Sequence, residues 1–473
     1  MATSVKGYPM IDLPSVTEAR TGAVVLAAGK GTRMACDTPK VLVPMLEEPL
    51  LRYVYDSLDP LGFDRIWTVV GYGADAVRTA FPGREDGFVL QEEQRGTGHA
   101  LMAAWKAVLA TALDYVLVIN GDTPLAPSDA LAEFVSGSVL QGADIAFLTL
   151  TPRDPGALGR VLREDGAVKA IVEAKDYDEA LHGPDPGEIN AGIYCLKTQA
   201  VTDLLPLLRD DNKSGELYIT DLVGLGVERG LSVVGLSHGD DPTLLGINTP
   251  AELVRSEELV RERIVGAHLA AGAFVRNPSA VRIGPGVAIA PGADITGPCE
   301  LYGTTRIGPC ARVESHCRIV DSEVAQGGLV RAFSHLEGAF VGPGAQAGPY
   351  ARLRTGAALE EGAKAGNFVE VKKSVLHKGA KVNHLAYIGD ADVGAGANVG
   401  AGTITCNYDG VNKHATRIGE KAFIGSNSAL VAPVSIGDGA LVGAGSVITR
   451  DVPDGHLALT RAPQKDMPRR GKG

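Results

Sequence analysis

Counted from Ile283, an aliphatic residue returns every sixth position: Ile283, Ile289, Ile295, Leu301, Ile307, Val313 and Ile319. The residues between them are mostly Gly, Pro, Ala and short polar types. A helix repeats every 3.6 residues and a half-buried strand every 2, so neither gives this pattern. A solenoid of very short strands does, because each hexamer is one face of a coil and turns its aliphatic residue into a shared core. The pattern predicts a parallel β-helix domain over residues 271–465, its hexamers slipping near 324–340 and 376–382 and running to about 448, with a short tail at 466–473.

The first half has a different rhythm. Ala23 to Ala28 is a continuous apolar run, which suits a strand buried on both faces of a parallel sheet. Similar runs stand at 66–70, 115–119 and 144–148, with helical stretches such as Gly98 to Thr111 between them. That alternation predicts an α/β doubly wound, Rossmann-like domain over 23–249. Thr249-Pro250 then opens a Glu-, Leu- and Arg-rich segment that predicts a connecting helix over 250–270.

In doubly wound sheets ligands sit beyond the carboxyl ends of strands, and the chemically loaded segments fall there. The first strand runs into Gly29-Lys30-Gly31-Thr32-Arg33, where glycines let backbone amides approach a phosphate and Lys30 and Arg33 add charge. A plain Gly-rich turn accounts for the same residues. Another strand ends at Asn120-Gly121-Asp122, where the carboxylate could hold Mg²⁺ against phosphates or could cap a turn.

Composition narrows the classes. At 473 residues the chain predicts more than one domain, and many of its 60 glycines fall in the hexamers. A net charge of −11 argues against non-specific binding to nucleic acid or anionic membrane, while leaving room for a local basic pocket. No apolar run approaches the ~20 residues of a membrane span. Residues 1–22 read as an extension without a hydrophobic signal region. The six cysteines form no CxxC pair, which fits reduced thiols in a cytoplasm.

Within the coil, Arg354, Lys364, Lys372 and Lys373 place positive charge on consecutive turns, and a polar loop at 405–414 interrupts the repeat. His384 sits in a slip beside Asn383. A lone histidine is more often structural than catalytic, and a structural rod is the blandest reading of such a coil. The other coil histidines (His316, His335, His377, His414) raise a zinc site, but they offer no ligand spacing and the nearby lysines would repel a cation.

Several ordered motifs carry a family resemblance. Leu26-Ala-Ala-Gly-Lys-Gly-Thr-Arg-Met34 with Pro39-Lys-Val-Leu42, Gln91 to Ala100, Gly121-Asp-Thr-Pro-Leu125, Gly159-Arg-Val161, Ile171 to Asp176, Glu188 to Ile193 and Gly246-Ile-Asn-Thr-Pro250 are similar to sugar-nucleotide pyrophosphorylases. Gly366 to Lys373, Asn383 to Asp390 and Gly400 to Gly410 look like acetyltransferase motifs. Together, over about 23–465, the chain resembles the bacterial bifunctional N-acetylglucosamine-1-phosphate uridylyltransferases/glucosamine-1-phosphate N-acetyltransferases. Val43 departs from the histidine frequent in that family, Asn120 stands at a variable position, and the N-terminal extension has no counterpart.

The resemblance implies site residues. Leu26, Ala27, Ala28, Gly29, Gln91, Gly96, Thr97, Asn120 and Gly121 would contact UTP or the UDP-sugar, with Lys40 and Arg33 neutralising phosphates. Asp122 and Asn248 would hold one or two Mg²⁺ ions, and Gly159, Glu173 and Asn190 would surround the N-acetylhexosamine. His384 would be the general base of acetyl transfer, and Arg354, Lys372, Tyr387 and Asn398 would bind glucosamine 1-phosphate. Ala401, Asn407, Tyr408, Lys413, Ser426, Ala444 and Arg461 would contact acetyl-CoA, Lys413 reaching toward a neighbouring subunit. A cytoplasmic, left-handed, homotrimeric coil with sites at subunit interfaces is implied too, as is a product used for peptidoglycan and lipopolysaccharide. Two rivals stay open: a nucleotidylyltransferase for another sugar with a structural β-helix, and a non-enzymatic scaffold of the same descent.

Overall fold

The computed structural model describes residues 19–34, 37–460 and 462–468, so Cys36 and the Arg461 assignment lie outside the described residues. The chain forms two compact units that meet between Glu257 and Glu258.

The first unit is built on a nine-stranded sheet: β1 (Thr21–Ala27), β2 (Ile66–Val70), β3 (Phe88–Leu90), β4 (Tyr115–Asn120), β5 (Ile145–Leu150), β6 (Arg160–Glu164), β7 (Ala167–Val172), β8 (Ile189–Lys197) and β9 (Val233–Ser237). Its order is β9-β5-β8-β4-β1-β2-β3, with β6 pairing β8 and β7. The continuous apolar run of β1 has a clear cause. It lies between β2 and β4, parallel to both. Val25 enters the core on one face and Val24 the core on the other.

The sheet is mixed rather than wholly parallel. β8 runs antiparallel to both β4 and β5, with a register shift between Asn190 and Tyr194. It follows the β6–β7 hairpin instead of a crossover helix, so the chain returns in the opposite direction. This turn of the chain brings Asn190 to the same end of the sheet as Asn120: a Cβ on Gly192 would lie 2.6 Å from Asn120 Nδ2.

Helix Pro250–Ala270 crosses the division between units. Its start is a reciprocal capping box, in which Glu252 N–H donates to Thr249 Oγ1 (3.2 Å) and Thr249 N–H to Glu252 Oε2 (3.1 Å). The Glu252 carboxylate also accepts the Asn248 N–H at 2.6 Å, so the cap fixes the backbone of a predicted metal ligand.

The second unit is a coil of three parallel sheets of 11, 10 and 9 short strands, visited in turn. Ala288 pairs with Arg306 and Asp294 with Arg312, so each coil takes three hexamers. The periodic aliphatics fill the interior: Ile283, Ile295, Leu301, Val313 and Ile319 are all 0% exposed. Small residues at the fifth hexamer position, such as Ala293, Cys299, Ala311 and Cys317, are buried as well.

The slips are turns shortened by one residue. Consecutive buried positions stand five apart at Ile319–Val324, Leu336–Val341, Val371–Leu376 and Ile388–Val393, all between the second and third sheets. Leu376, Val382 and Ile388 stand six apart, so the slip expected at 376–382 falls on either side of it and His384 lies in a full-length turn. The polar loop is an insertion: Asn398 pairs with Phe423, beyond the next position a regular coil would reach. At the corner between the first and second sheets, His316, Phe333, Tyr350 and Phe368 stack at 4.6, 4.8 and 5.2 Å. Phe333, Tyr350, Phe368 and Leu385 are exposed, and the last adjoins His384.

Candidate active sites

A cleft of about 400 Å³ opens at the carboxyl ends of β1 and β4, within the range of small-molecule sites. Leu26, Ala27, Ala28, Gly29, Arg33, Lys40, Gln91, Gly96, Thr97, Asn120, Asp122 and Asn248 all line it. Gly121 packs behind the wall, against Val41 and Ala27. Gly31 is required by geometry: its φ is +66° and a Cβ would lie 2.6 Å from Lys40 Cβ. Gln91 is tied in place, its Nε2 3.2 Å from Gly96 O and 3.0 Å from His99 Nδ1.

The charged centre of the cleft is a knot of four residues. Lys40 Nζ pairs with Asp122 Oδ2 and lies 2.9 Å from Asn248 Oδ1, which also accepts from Arg33 Nη2 at 2.8 Å. Asn248 Nδ2 donates to Gly246 O at 3.1 Å, leaving Oδ1 turned inward. One carboxylate and one carboxamide oxygen converging beside a phosphate-sized cleft form a donor set that suits Mg²⁺, which takes few protein ligands and fills its shell with phosphate oxygens and water. The residues therefore fit the metal.

A second cluster adjoins this cleft. Asn190 N–H donates to Gly159 O at 2.9 Å, and Gly159 faces the Glu173 carboxylate. Asn190 Nδ2 donates to Tyr194 OH at 2.6 Å, and Thr220 Oγ1 donates to Glu173 Oε1 at 3.0 Å. Burial pushes the Glu173 carboxyl above its ordinary range despite that hydrogen bond. Burial, then the neighbouring Glu173, Asp211 and Asp176 carboxylates, push Asp221 up to about 6. Such a cluster is built to receive donors such as sugar hydroxyls. Thr220, Gln94 and Glu216 belong to these surroundings. Gln94 lay inside a quoted motif, whereas nothing in the sequence marked the other two.

In the coil the predicted residues gather at two different corners. Lys364, Lys381, Asn398, Phe423 and Leu441 are successive partners on the first sheet. Three residues beyond each, at the corner leading to the second sheet, stand Asn367, His384, Ala401, Ser426 and Ala444. The histidine thus heads a column of small residues, each step one coil of about 4.8 Å. His384 is exposed, and its Nδ1 lies 2.6 Å from Asn367 Oδ1.

Arg354 follows strand Arg352–Leu353 of the second sheet and Lys372 ends its partner Glu370–Lys372, both at the sheet's other corner. The polar loop leaves from this corner too. Its Tyr408 and Lys413 form an antiparallel bridge, and Asn407 Nδ2 hydrogen-bonds Asp390. Lys413 lies against Lys372 of its own chain. With Arg354 it holds the Lys372 ammonium below its ordinary pKa, although Arg354 is itself paired with Glu370 at 3.1 Å. Tyr387 lies on the second sheet between the two corners. A single chain does not bring His384 and Asn398 together with Arg354 and Lys372, nor Ala401, Ser426 and Ala444 with Asn407 and Tyr408.

Among the described residues no helix is long and apolar enough to cross a membrane. Residues 23–175 match the MobA-like NTP transferase domain family, and 415–450 match the hexapeptide repeat of succinyl-transferase. The chain is 62% identical over 446 residues to the bifunctional protein GlmU of Oleidesulfovibrio alaskensis, covering 94% of this chain and 97% of the relative. It is 60% identical over 450 residues to the bifunctional protein GlmU of Nitratidesulfovibrio vulgaris strain Miyazaki F (95% and 98% covered), and 43% identical over 450 residues to that of Lawsonia intracellularis (95% and 98% covered). With its nucleotidyltransferase sheet followed by a left-handed hexapeptide β-helix, the chain belongs to the GlmU family of bifunctional uridylyltransferase/acetyltransferases.

Proposed function

We propose that residues 23–249 transfer a uridylyl group from UTP to N-acetylglucosamine 1-phosphate, and that residues 271–465, beyond the connecting helix 250–270, first make that sugar by acetylating glucosamine 1-phosphate. The observation that carries the assignment is the catalytic-type constellation in each unit. Lys40, Asp122 and Asn248 converge in one, and His384 heads a small-residue column in the other. A structural rod has no use for the second.

In the coil, Ala401, Ser426 and Ala444 leave a shallow path along which acetyl-CoA lies, its thioester at the His384 end. The imidazole takes a proton from the sugar ammonium while the amine nitrogen bonds to the thioester carbonyl carbon. The C–S bond then breaks, CoA leaves as the thiolate, and that sulfur takes the second proton from the nitrogen, giving the neutral amide and CoA thiol. A positioned base of this kind is worth about 10²–10⁴-fold. Arg354 and Lys372 hold the sugar phosphate, with Tyr387 and Asn398 nearby. Because these cations lie at another corner from His384, the reading includes a homotrimer whose neighbouring copies complete each site, Asn407, Tyr408 and Arg461 adding to the acetyl-CoA contacts. The exposed ladder of Phe333, Tyr350 and Phe368 is apolar surface of the kind such an assembly covers.

In the first unit the attacking phosphate oxygen is already anionic, so no general base is required. Asp122 and Asn248 would hold Mg²⁺, which supplies charge neutralisation at the phosphates when bound. Lys40 and Arg33 align the sugar phosphate with the α-phosphate and favour the departing pyrophosphate. Gln91, Gly96 and Thr97 position the nucleoside, and Gly159, Glu173 and Asn190 the sugar. The enzyme would work in the cytoplasm, where its substrates are found.

The test is thiol release from acetyl-CoA with glucosamine 1-phosphate and no UTP, comparing wild type with His384→Ala. Release abolished by the substitution supports the reading. No release from a folded wild type would make the coil a scaffold.

A further inference from the structure

A general base must carry its lone pair toward the substrate, and a histidine at the surface has two ring nitrogens to choose between. Asn367 ends strand Lys364–Asn367 and His384 ends strand Lys381–His384, directly opposite in the parallel register. The Asn367 carboxamide oxygen lies 2.6 Å from His384 Nδ1. That oxygen can only accept, so the ring nitrogen facing it must donate. A neutral imidazole has one N–H, and placing it at Nδ1 leaves the Nε2 lone pair free.

We infer that Asn367 is the positioning residue of the acetyltransfer reaction, holding His384 in the Nδ1–H form so that Nε2 acts as the base. The inference rests on the assignment of His384 as that base.

Three features of the coil support a fixed pair. Gly366 permits the close approach of the two coils, since a Cβ there would lie 2.1 Å from Asn383 O. The Leu385 N–H donates to Asn367 O at 3.1 Å, locking the backbone on the far side of the histidine. The same strands carry Lys364 and Lys381, paired with each other in register, and the next coil presents Asn398 there. Among the described residues neither lysine is bonded to the imidazole, so its orientation depends on the amide.

The choice of an amide over a carboxylate has a chemical consequence. A carboxylate would also fix the tautomer but would favour imidazolium, holding the base protonated near neutrality. A neutral acceptor orients the ring while leaving it free to accept a proton. The opposite amide orientation would put the ring proton on Nε2 and disable the base, so the two arrangements predict opposite behaviour.

The experiment compares wild type, Asn367→Leu, Asn367→Asp and His384→Ala in the full-length protein. Acetyl transfer is read as thiol release from pH 5.5 to 9, and uridylyl transfer as pyrophosphate release. Imidazole ¹⁵N NMR reads the tautomer. The Leu variant should lose about 10–100-fold in acetyltransferase kcat, as removal of an orienting partner typically does, with little change in KM for acetyl-CoA. The Asp variant should recover most of kcat at high pH, with the acid limb of its profile moved upward. Wild type should give the Nδ1–H signature and the Leu variant a mixture.

A Leu variant within twofold of wild type, an Asp variant as weak as Leu with an unmoved limb, or an Nε2–H signature in wild type would each overturn the inference. Unchanged uridylyl transfer guards against misfolding. Acetyl transfer surviving in His384→Ala would overturn the base assignment itself, a separate failure.

Discussion

Lys40 occupies the space between the two oxygens assigned to the metal, and this makes a prediction with opposed signs. Its ammonium pairs with Asp122, their side chains 11% and 20% exposed, and lies 2.9 Å from Asn248 Oδ1. A divalent cation approaching the same oxygens meets a like charge. A unit charge and a divalent one ~4 Å apart interact by about 2 kcal/mol in water and about 8 kcal/mol at an effective dielectric near 20. The cleft is open on one side, so water holds the repulsion near the lower figure, about 2–3 kcal/mol. Lys40→Met removes it while keeping the bulk of the side chain. The variant should therefore bind Mg²⁺ about 10–100-fold more tightly without nucleotide, while uridylyl transfer falls by about 10²–10³-fold through lost stabilisation of phosphate charge. Calorimetric titration with Mg²⁺ and a pyrophosphate-release assay read the two effects. Equal or weaker metal binding by the variant would refute the placement of Lys40 against the metal ligands.

Other sites give predictions of stability with a definite sign. Burial alone would lower the His377 pKa, but hydrogen bonds to the Asp392 and Glu360 carboxylates outweigh it and raise the value. A raised pKa stabilises the fold below the unfolded value of about 6.5 and loses that effect as pH rises through the folded value. His377→Gln should thus lower Tm at pH 5.5 and leave it unchanged at pH 9; an equal loss at both would contradict the pairing. Asp221, pushed up to about 6 by burial and by Glu173, Asp211 and Asp176, works in the other direction. Folding favours its protonated form, so Asp221→Asn should raise Tm at pH 8, the difference vanishing near pH 4, and a lower Tm at pH 8 would count against the acidic cluster. Gly366→Ala drives a Cβ into Asn383 O and should destabilise the coil by about 1–3 kcal/mol. Acetyl transfer should drop with uridylyl transfer intact, and a fully active coil would argue against the close approach.

The coil was legible because its period repeats one physical unit, an aliphatic side chain per hexamer, from Ile283 onward. The first half was legible at β1, β4 and the loops after them, where apolar runs end in glycine and charge. The antiparallel β8 was not, since its apolar run looks the same in either direction and only the β6–β7 hairpin decides it. Asn367 lay inside the motif Gly366 to Lys373, but its role was hidden: it stands 17 residues before His384, and only the register of the coil sets the two directly opposite one another. The separation of His384 from the Arg354 and Lys372 cluster had the same origin, because motif order along a chain does not say which corner of a solenoid a residue occupies. Thr220 and Glu216 reach the first site from a loop and a helix start with no distinguishing composition.

The central claim is that one chain carries the residues of two separate activities, one in each of its units. Its most direct test supplies glucosamine 1-phosphate, acetyl-CoA and UTP to His384→Ala, to Lys40→Met and to an equimolar mixture of the two, and measures UDP-N-acetylglucosamine. Each variant alone should form almost none, and the mixture should recover synthesis after a lag while the acetylated intermediate accumulates. A mixture as inactive as its components, with both proteins folded, would contradict independent sites. Substantial product from either variant alone would contradict the residues assigned to it.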